Sequence, residues 1–297
     1  MFKKNEFTVF KSFKIVTRLL LVFIVIVSVN IPVCAQGKIH SIRKEFLNPE
    51  SSQVLVASHR AVHHQYPENS IPAIKEAIRL GVDVIEIDVQ VSKDGIPMLM
   101  HDGKVDRTTN GKGNLETQNY QDLKKLRLVA NGNLTDEQIP TLKEALLIAK
   151  GHILVDLDMK TSHVEQVMQV IKSTKTENIA FFFDSDYSIL SKVDSVSKQF
   201  MIMPRAYNMA MADSALKLYS PEVVHIDEKT NTAEMVGTIK KGHARVWINA
   251  LGKPDEAIRQ GNGKQAILEL IKNGANIIQT DEPEKLLKYL RAVGLHQ

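Results

Sequence analysis

The chain has 297 residues, a formal net charge of +4, 24% charged and 43% hydrophobic residues, and one cysteine. Five Lys/Arg and a single Glu fall within the first 35 residues, so the remainder is close to neutral and gives no ground for nucleic acid or anionic lipid as a partner. With Cys34 the sole cysteine, an internal disulfide is excluded.

Residues 1–35 read as a secretory signal. Lys3, Lys4, Lys11, Lys14 and Arg18 form a basic start, 19–29 an apolar core, and Val33-Cys34-Ala35 a small-residue cleavage site. That core is short of the roughly 20 apolar residues that span a bilayer. The expectation is an exported protein, periplasmic or secreted, that meets a membrane only through its substrate or an uncleaved signal. Residues 36–50 are polar and of mixed charge, and read as a linker or an N-terminal extension packed outside the main domain. Residues 51–297 form one domain, since about 250 residues suit a single α/β barrel.

From 54 onward, short β-branched runs alternate with amphipathic stretches, the pattern of parallel βα units. A strand at 54–57 precedes a helix at 70–80, where Ile71, Ile74 and Ile78 share one face and Gly81 is the stop. Strands follow at 82–89 and, after the Asp94-Gly95 turn, at 96–100. Thr141 and Glu144 have capping-box spacing for a helix ending at Gly151. Further strands are predicted at 153–157, 179–183, 199–203, 223–226, 245–248 and 276–279. Helices near 163–173, 187–196, 208–217, 231–240 and 263–272 lie between them, and a last helix follows Pro283. Nine strands are one too many for a (β/α)8 barrel of TIM type, and the helix-free link between the second and third marks where the extra one falls.

Ligands of α/β sheets meet the carboxyl ends of the strands. Those ends carry His59-Arg60, Glu86 with Asp88, His101-Asp102, Asp158 with Lys160, Asp184, Arg205, Asp227, Asn249 and Thr280-Asp281. Glu86 and Asp88 are two residues apart, which puts both on one face of a strand. Flanked by Val84, Ile85, Ile87 and Val89, they are costly to bury without a cation. With Asp158 they offer an oxygen-only set suited to Ca²⁺ or Mg²⁺, with Mn²⁺ as a further candidate. His59 and His101 titrate near neutrality and can act as acid and base, and Arg60 and Lys160 offer fixed charge to a phosphate.

These segments, with Pro67-Glu68-Asn69-Ser70, Lys93-Asp94-Gly95, Arg107-Thr108-Thr109-Asn110-Gly111, Ile139-Pro140-Thr141-Leu142, Val246-Trp247-Ile248-Asn249 and Thr280-Asp281-Glu282-Pro283, resemble the glycerophosphodiester phosphodiesterase family from about Val54 to the C-terminus. The resemblance implies a TIM-type barrel that hydrolyses a small glycerophosphodiester to an alcohol and glycerol phosphate. It implies His59 and His101 as general acid and base, a divalent cation on Glu86, Asp88 and Asp158, and Arg60 and Lys160 beside the phosphate. By the same resemblance Glu68 supports His59 and Arg60, with a helix-start role as its competitor, and Trp247 lines the pocket, with a core role as its competitor. A lysophospholipid or phosphoinositol-type substrate is the second enzymatic reading, and a non-catalytic barrel binding phosphodiesters or glycans the third. No oligomer is specified.

Three departures from the family stand out. Ala61 replaces the usual glycine after His-Arg, restricting a turn. Asp158 stands where the family mostly has Glu, one methylene longer. The stretch between His101 and Pro140 is short for an inserted domain and predicts an open pocket.

Overall fold

A computed structural model describes residues 37–297, and the predicted signal lies outside the described residues. Residues 37–46, within the stretch read as a linker or extension, form helix α1. Then follow β1 (Leu55–Ser58), α2 (Ile71–Leu80), β2 (Val84–Val91), β3 (Pro97–Leu99), α3 (Tyr120–Leu123), β4 (Val129–Ala130), β5 (Asn133–Leu134), α4 (Leu142–Ala149) and β6 (Leu154–Met159). The second half runs α5 (Val164–Thr174), β7 (Ala180–Asp184), α6 (Tyr187–Val196), β8 (Met201–Ala206), α7 (Met209–Tyr219), β9 (Val223–Ile226) and α8 (Ala233–Lys241). It ends with β10 (Arg245–Asn249), α9 (Lys253–Arg259), α10 (Gly263–Ile271), β11 (Ile277–Thr280) and α11 (Pro283–Ala292).

Eight strands close into a parallel barrel in the order β1-β2-β6-β7-β8-β9-β10-β11, with β11 returning to β1. β3 is the extra strand: it pairs antiparallel with β2, Val91 opposite Pro97, in the helix-free link. The helix signals read from sequence act as expected. Ser70 accepts a hydrogen bond from the Ala73 amide and Gly81 closes α2 at φ 85°, while Thr141 and Glu144 form a reciprocal capping box on α4.

The N-terminal end of the barrel is closed by α1. Ile39, Ile42 and Phe46 are buried there, and the Phe46 ring lies 5.0 Å from that of Phe181. Arg245, wholly buried, donates to the carbonyls of Glu45, Gln53 and Asn276. The segment after β3 builds a small core of its own from Met98, Met100, Val105, Leu115, Leu123, Leu128 and Ile139. Its β4–β5 hairpin reaches the mouth, where the Asn131 side-chain amide donates to the His64 carbonyl at 2.9 Å. Among the described residues no helix is long and apolar enough to cross a membrane.

Candidate active site

β2 and β6 are adjacent and in register, Glu86 beside Asp156 and Asp88 beside Asp158. Period-2 alternation turns all four acids into the barrel. One oxygen each of Glu86, Asp88 and Asp158 lies within 4.8 Å of the others, so the shorter Asp158 still joins the cluster. Glu86 and Asp88 are only 2% and 1% exposed. Glu86 Oε2 accepts from the Arg60 amide at 2.7 Å and from Gln279 Nε2 at 3.3 Å. Asp88 Oδ2 accepts from Asn69 Nδ2 at 2.7 Å. The remaining oxygens, Glu86 Oε1 and Asp88 Oδ1, are buried without a hydrogen-bond partner. Burial first, then the charges of Asp88, Asp158 and Asp156, push Glu86 well above the ordinary carboxylate range.

An unpaired buried carboxylate oxygen is costly, and a bound cation reverses that cost. Glu86 Oε1, wholly unpaired, and Asp88 Oδ1, met by a lysine charge but no hydrogen bond, therefore fit a hard divalent ion. Lys160 supplies part of the compensation, its ammonium 2.7 Å from Asp158 Oδ2 and 3.3 Å from Asp88 Oδ1. Burial still leaves Asp158 raised, against the opposing pull of Lys160.

His59 follows β1, and its Nδ1 lies 2.8 Å from Asp281 Oδ1 at the end of β11. Burial would raise Asp281, but the hydrogen bond and charge of His59 outweigh it and the carboxyl is lowered. An ionised carboxylate only accepts, so Nδ1 of His59 carries the proton and Nε2, 4.0 Å from Glu86 Oε2, is free to face the site. Asp281 is held in turn by Asp255 of α9, whose Oδ2 accepts from the Asp281 amide at 2.7 Å. His101 repeats the device: its Nδ1 is 2.7 Å from Asp102 Oδ1. Gln90 Nε2 fixes that loop by donating to the carbonyls of Met100 (3.2 Å) and Asp102 (2.5 Å).

Arg60 and Ala61 both adopt left-handed backbone, φ 49° and 60°. This turn directs the Arg60 amide at the Glu86 carboxylate and the Ala61 amide at the Glu86 carbonyl, 3.1 Å away. Glu68 accepts from Arg60 Nη1 at 3.1 Å and forms a fork with Arg107, at 2.7 and 2.8 Å. Its place is thus within the charged loop beside His59 and Arg60, one residue before Asn69, which braces Asp88.

Trp247 stands on β10. It is 0% exposed inside the barrel, edge-on to Phe181 at 6.2 Å, and its indole N–H points to Asn249 Oδ1 at 3.0 Å. The indole N–H also faces Gln279 Oε1 at 3.3 Å, and Gln279 in turn donates to Glu86. Asp184, Arg205 and Asp227 end β7, β8 and β9, the side of the mouth away from β1 and β2. There Arg205 pairs with Asp227 and packs over the Tyr207 ring at 5.0 Å. Asp102, Asp281 and Arg107 were visible as residues of the motifs, but their orienting roles were not; Asp255, Gln90 and Gln279 carried no signal.

A TIM-type barrel with its reactive groups gathered at the C-terminal mouth is an α/β-barrel enzyme. Residues 59–248 match the model of the glycerophosphoryl diester phosphodiesterase family. A glycerophosphodiester phosphodiesterase from Caldanaerobacter subterraneus subsp. tengcongensis is 30% identical over 258 residues, covering 82% of this chain and 100% of that one. Human glycerophosphodiester phosphodiesterase 1 is 31% identical over 183 residues, covering 60% of this chain and 46% of that one. The chain thus spans about half the length of the mammalian relatives it matches. A phosphodiesterase from Oleispira antarctica, solved with the product sn-glycerol-3-phosphate, superposes at TM-score 0.70 with 23% identity, covering 80% of this chain and 96% of that one, a likeness of fold. The chain belongs to the glycerophosphoryl diester phosphodiesterase family.

Proposed function

We propose that this protein hydrolyses glycerophosphodiesters to an alcohol and glycerol phosphate with the help of a divalent cation. The observation that carries the reading is the meeting of three acids with two imidazoles whose Nδ1 atoms are each tied to a carboxylate. Glu86, Asp88 and Asp158 would hold the ion, Ca²⁺ or Mg²⁺ by the oxygen-only donor set. A cation bound there would supply charge against the phosphoryl oxygens. Arg60 and Lys160 add positive charge on the same rim, and Lys160 stays protonated because Asp158 and Asp88 outweigh the effect of its burial.

With Nδ1 protonated, each histidine offers Nε2 to substrate. One Nε2 takes the proton of the nucleophile, either water or a neighbouring hydroxyl of the substrate. The other enters protonated on both nitrogens and gives its Nε2 proton to the departing alkoxide, and exchange with solvent then restores the two rings, so the protons balance over the turnover. Substrate-hydroxyl attack would release a cyclic glycerol phosphate, which phosphorus NMR distinguishes from the open product. On the pattern of residues 1–35, we place the activity outside the cytoplasm.

The test is turnover of glycerophosphocholine by the chain beginning at Gln36, with and without chelator and with Ca²⁺, Mg²⁺ or Mn²⁺ restored. Activity should vanish with chelator, and His59→Ala and His101→Ala should each lower kcat about 100-fold or more. Near wild-type rates in both variants would overturn the histidine roles. Turnover indifferent to chelator would overturn the role of the metal.

A further inference from the structure

We propose that Arg107 is a positioning residue, which holds Asp102 and Glu68 at once and so locks the imidazole of His101 to the loop that carries His59 and Arg60. The guanidinium makes two forks. Nε and Nη2 meet Asp102 Oδ2 and Oδ1 at 2.7 and 3.0 Å, while Nη1 and Nη2 meet Glu68 Oε2 and Oε1 at 2.7 and 2.8 Å. Guanidinium is planar with donors in a fixed array, so two carboxylates bound bidentately are fixed relative to each other in angle as well as distance. Each carboxylate then passes the constraint on. Asp102 Oδ1 also accepts from His101 Nδ1 at 2.7 Å, and Glu68 Oε1 also accepts from Arg60 Nη1 at 3.1 Å. A continuous ionic line therefore runs His101, Asp102, Arg107, Glu68, Arg60, joining the segment after β3 to the loop before α2.

The anchoring of Arg107 itself supports the assignment. Val105 belongs to the small core of the segment, Thr108 and Thr109 are buried beside Arg107 in the chain, and the Thr109 amide donates to the Val105 carbonyl at 3.1 Å. The side chain is 48% exposed, and exposed ion pairs contribute little to folding. Its geometric effect is of another size, because a misplacement of about 1 Å at a reacting group costs on the order of 100-fold in rate. A residue that matters for orientation and hardly for stability should separate the two measurements cleanly. Hydrogen bonding from Arg107, working against burial and with His101, also lowers the Asp102 carboxyl below the usual carboxylate range.

The inference rests on the acid–base reading of His101, and its test reads the imidazole directly. In ¹⁵N-histidine-labelled protein, long-range ¹H–¹⁵N spectra report the tautomer of each ring. Wild type should show Nδ1–H at both His59 and His101. Arg107→Ala should turn His101 into a mixture of tautomers while His59, tied to Asp281, stays unchanged as an internal control. In the same variant kcat should fall about 10- to 100-fold, with KM within about threefold and the melting temperature within a few degrees. Arg107→Lys, which keeps the charge and loses the forks, should recover the fold and only part of kcat. An unaltered His101 tautomer with wild-type kcat in Arg107→Ala, or full recovery of kcat in Arg107→Lys, overturns the proposal. If Arg107→Ala is too unstable to study, the Lys variant alone decides by its tautomer and kcat. Should His101→Ala keep its turnover while Arg107→Ala still mixes the tautomers, the acid–base role fails and the positioning stands.

Discussion

At the N-terminal end of the barrel the guanidinium of Arg245 is enclosed and donates to three main-chain carbonyls, with only its Nε lacking a partner. At the C-terminal end Glu86 and Asp88 are as deeply enclosed, yet each leaves an oxygen with no hydrogen bond. Burial lowers Arg245 to about 10, against the pull of Asp83 and Glu45, so it stays charged at neutral pH. Burial and neighbouring acids drive Glu86 the other way, toward its neutral form. The chain thus satisfies a buried charge from within at one end and leaves a cluster of acids only partly compensated at the other. Stability and activity should divide along the same line.

The largest expected effect comes from Glu86→Gln, which keeps the shape and removes a charge. Turnover should fall about 1000-fold, of the order assigned to transition-state charge stabilisation. Unfolding in urea with chelator present should show a variant as stable as wild type or more so, because the desolvation of a buried charge is relieved. Equal losses in both assays would erase the distinction between the two ends. Arg245→Met is the converse. It leaves the Gln53 carbonyl without a donor, while those of Glu45 and Asn276 keep the amides of Asn48 and Leu55, and should cost about 1–3 kcal/mol in unfolding free energy, while kcat per folded molecule stays that of wild type.

Left-handed backbone is found at both ends, after helices at Lys175, Ser220 and His243, and at the mouth at Arg60, Ala61 and Asn69. Left-handed backbone costs a non-glycine residue about 1–2 kcal/mol, partly offset at Ala61 by the greater freedom glycine regains on unfolding. Ala61→Gly should therefore stabilise by a few tenths to about 1 kcal/mol, read from the denaturation midpoint at unchanged slope. A loss of stability would mean that the turn relies on the alanine methyl.

The smallest effect belongs to Asp184, whose carboxyl burial raises to about 6 against the hydrogen bond from the Asp186 amide. A carboxyl raised in the folded state binds its proton more tightly there than in the unfolded chain. Its contribution to stability therefore declines as pH climbs from the ordinary carboxylate value of about 4 to about 6, and stays low above. Asp184→Asn should gain a few tenths to about 1 kcal/mol at pH 7, after solvent screening, and nothing at pH 4. A gain independent of pH would point to packing instead.

Much of this contrast was legible before any coordinates. Strands buried on both faces read as β-branched runs, and capped helices between them defined the βα repeat. Strand bounds slipped by a residue or two, as in 82–89 against Val84–Val91, because Val82 is buried without joining the sheet. The two-residue spacing of Glu86 and Asp88 survives such a slip, so their shared face was readable. α9 escaped notice because it is short and largely charged. The apolar spacing of Ile39, Ile42 and Phe46 was diluted by the charged residues between them. Orienting partners were the least legible: Asp281 and His59 are 222 residues apart, and Arg107 meets Glu68, 39 residues away, only once the segment after β3 has folded. The contact of the β4–β5 hairpin with the His64 loop, through Asn131, carried no signal either.

The closure by α1 also sets where the molecule can be held. Lys38, near the first described residue, shares a cleft with Gly81, Asp83 and Arg291 on the floor of the barrel. The start of α1 therefore lies on that floor, about 10–17 Å of strand length from the carboxylates, the three to five residues that separate Asp83 from Glu86 and Asp88. The first described residues and the acid cluster occupy opposite ends of the barrel, so a label or support joined at α1 stands clear of the mouth.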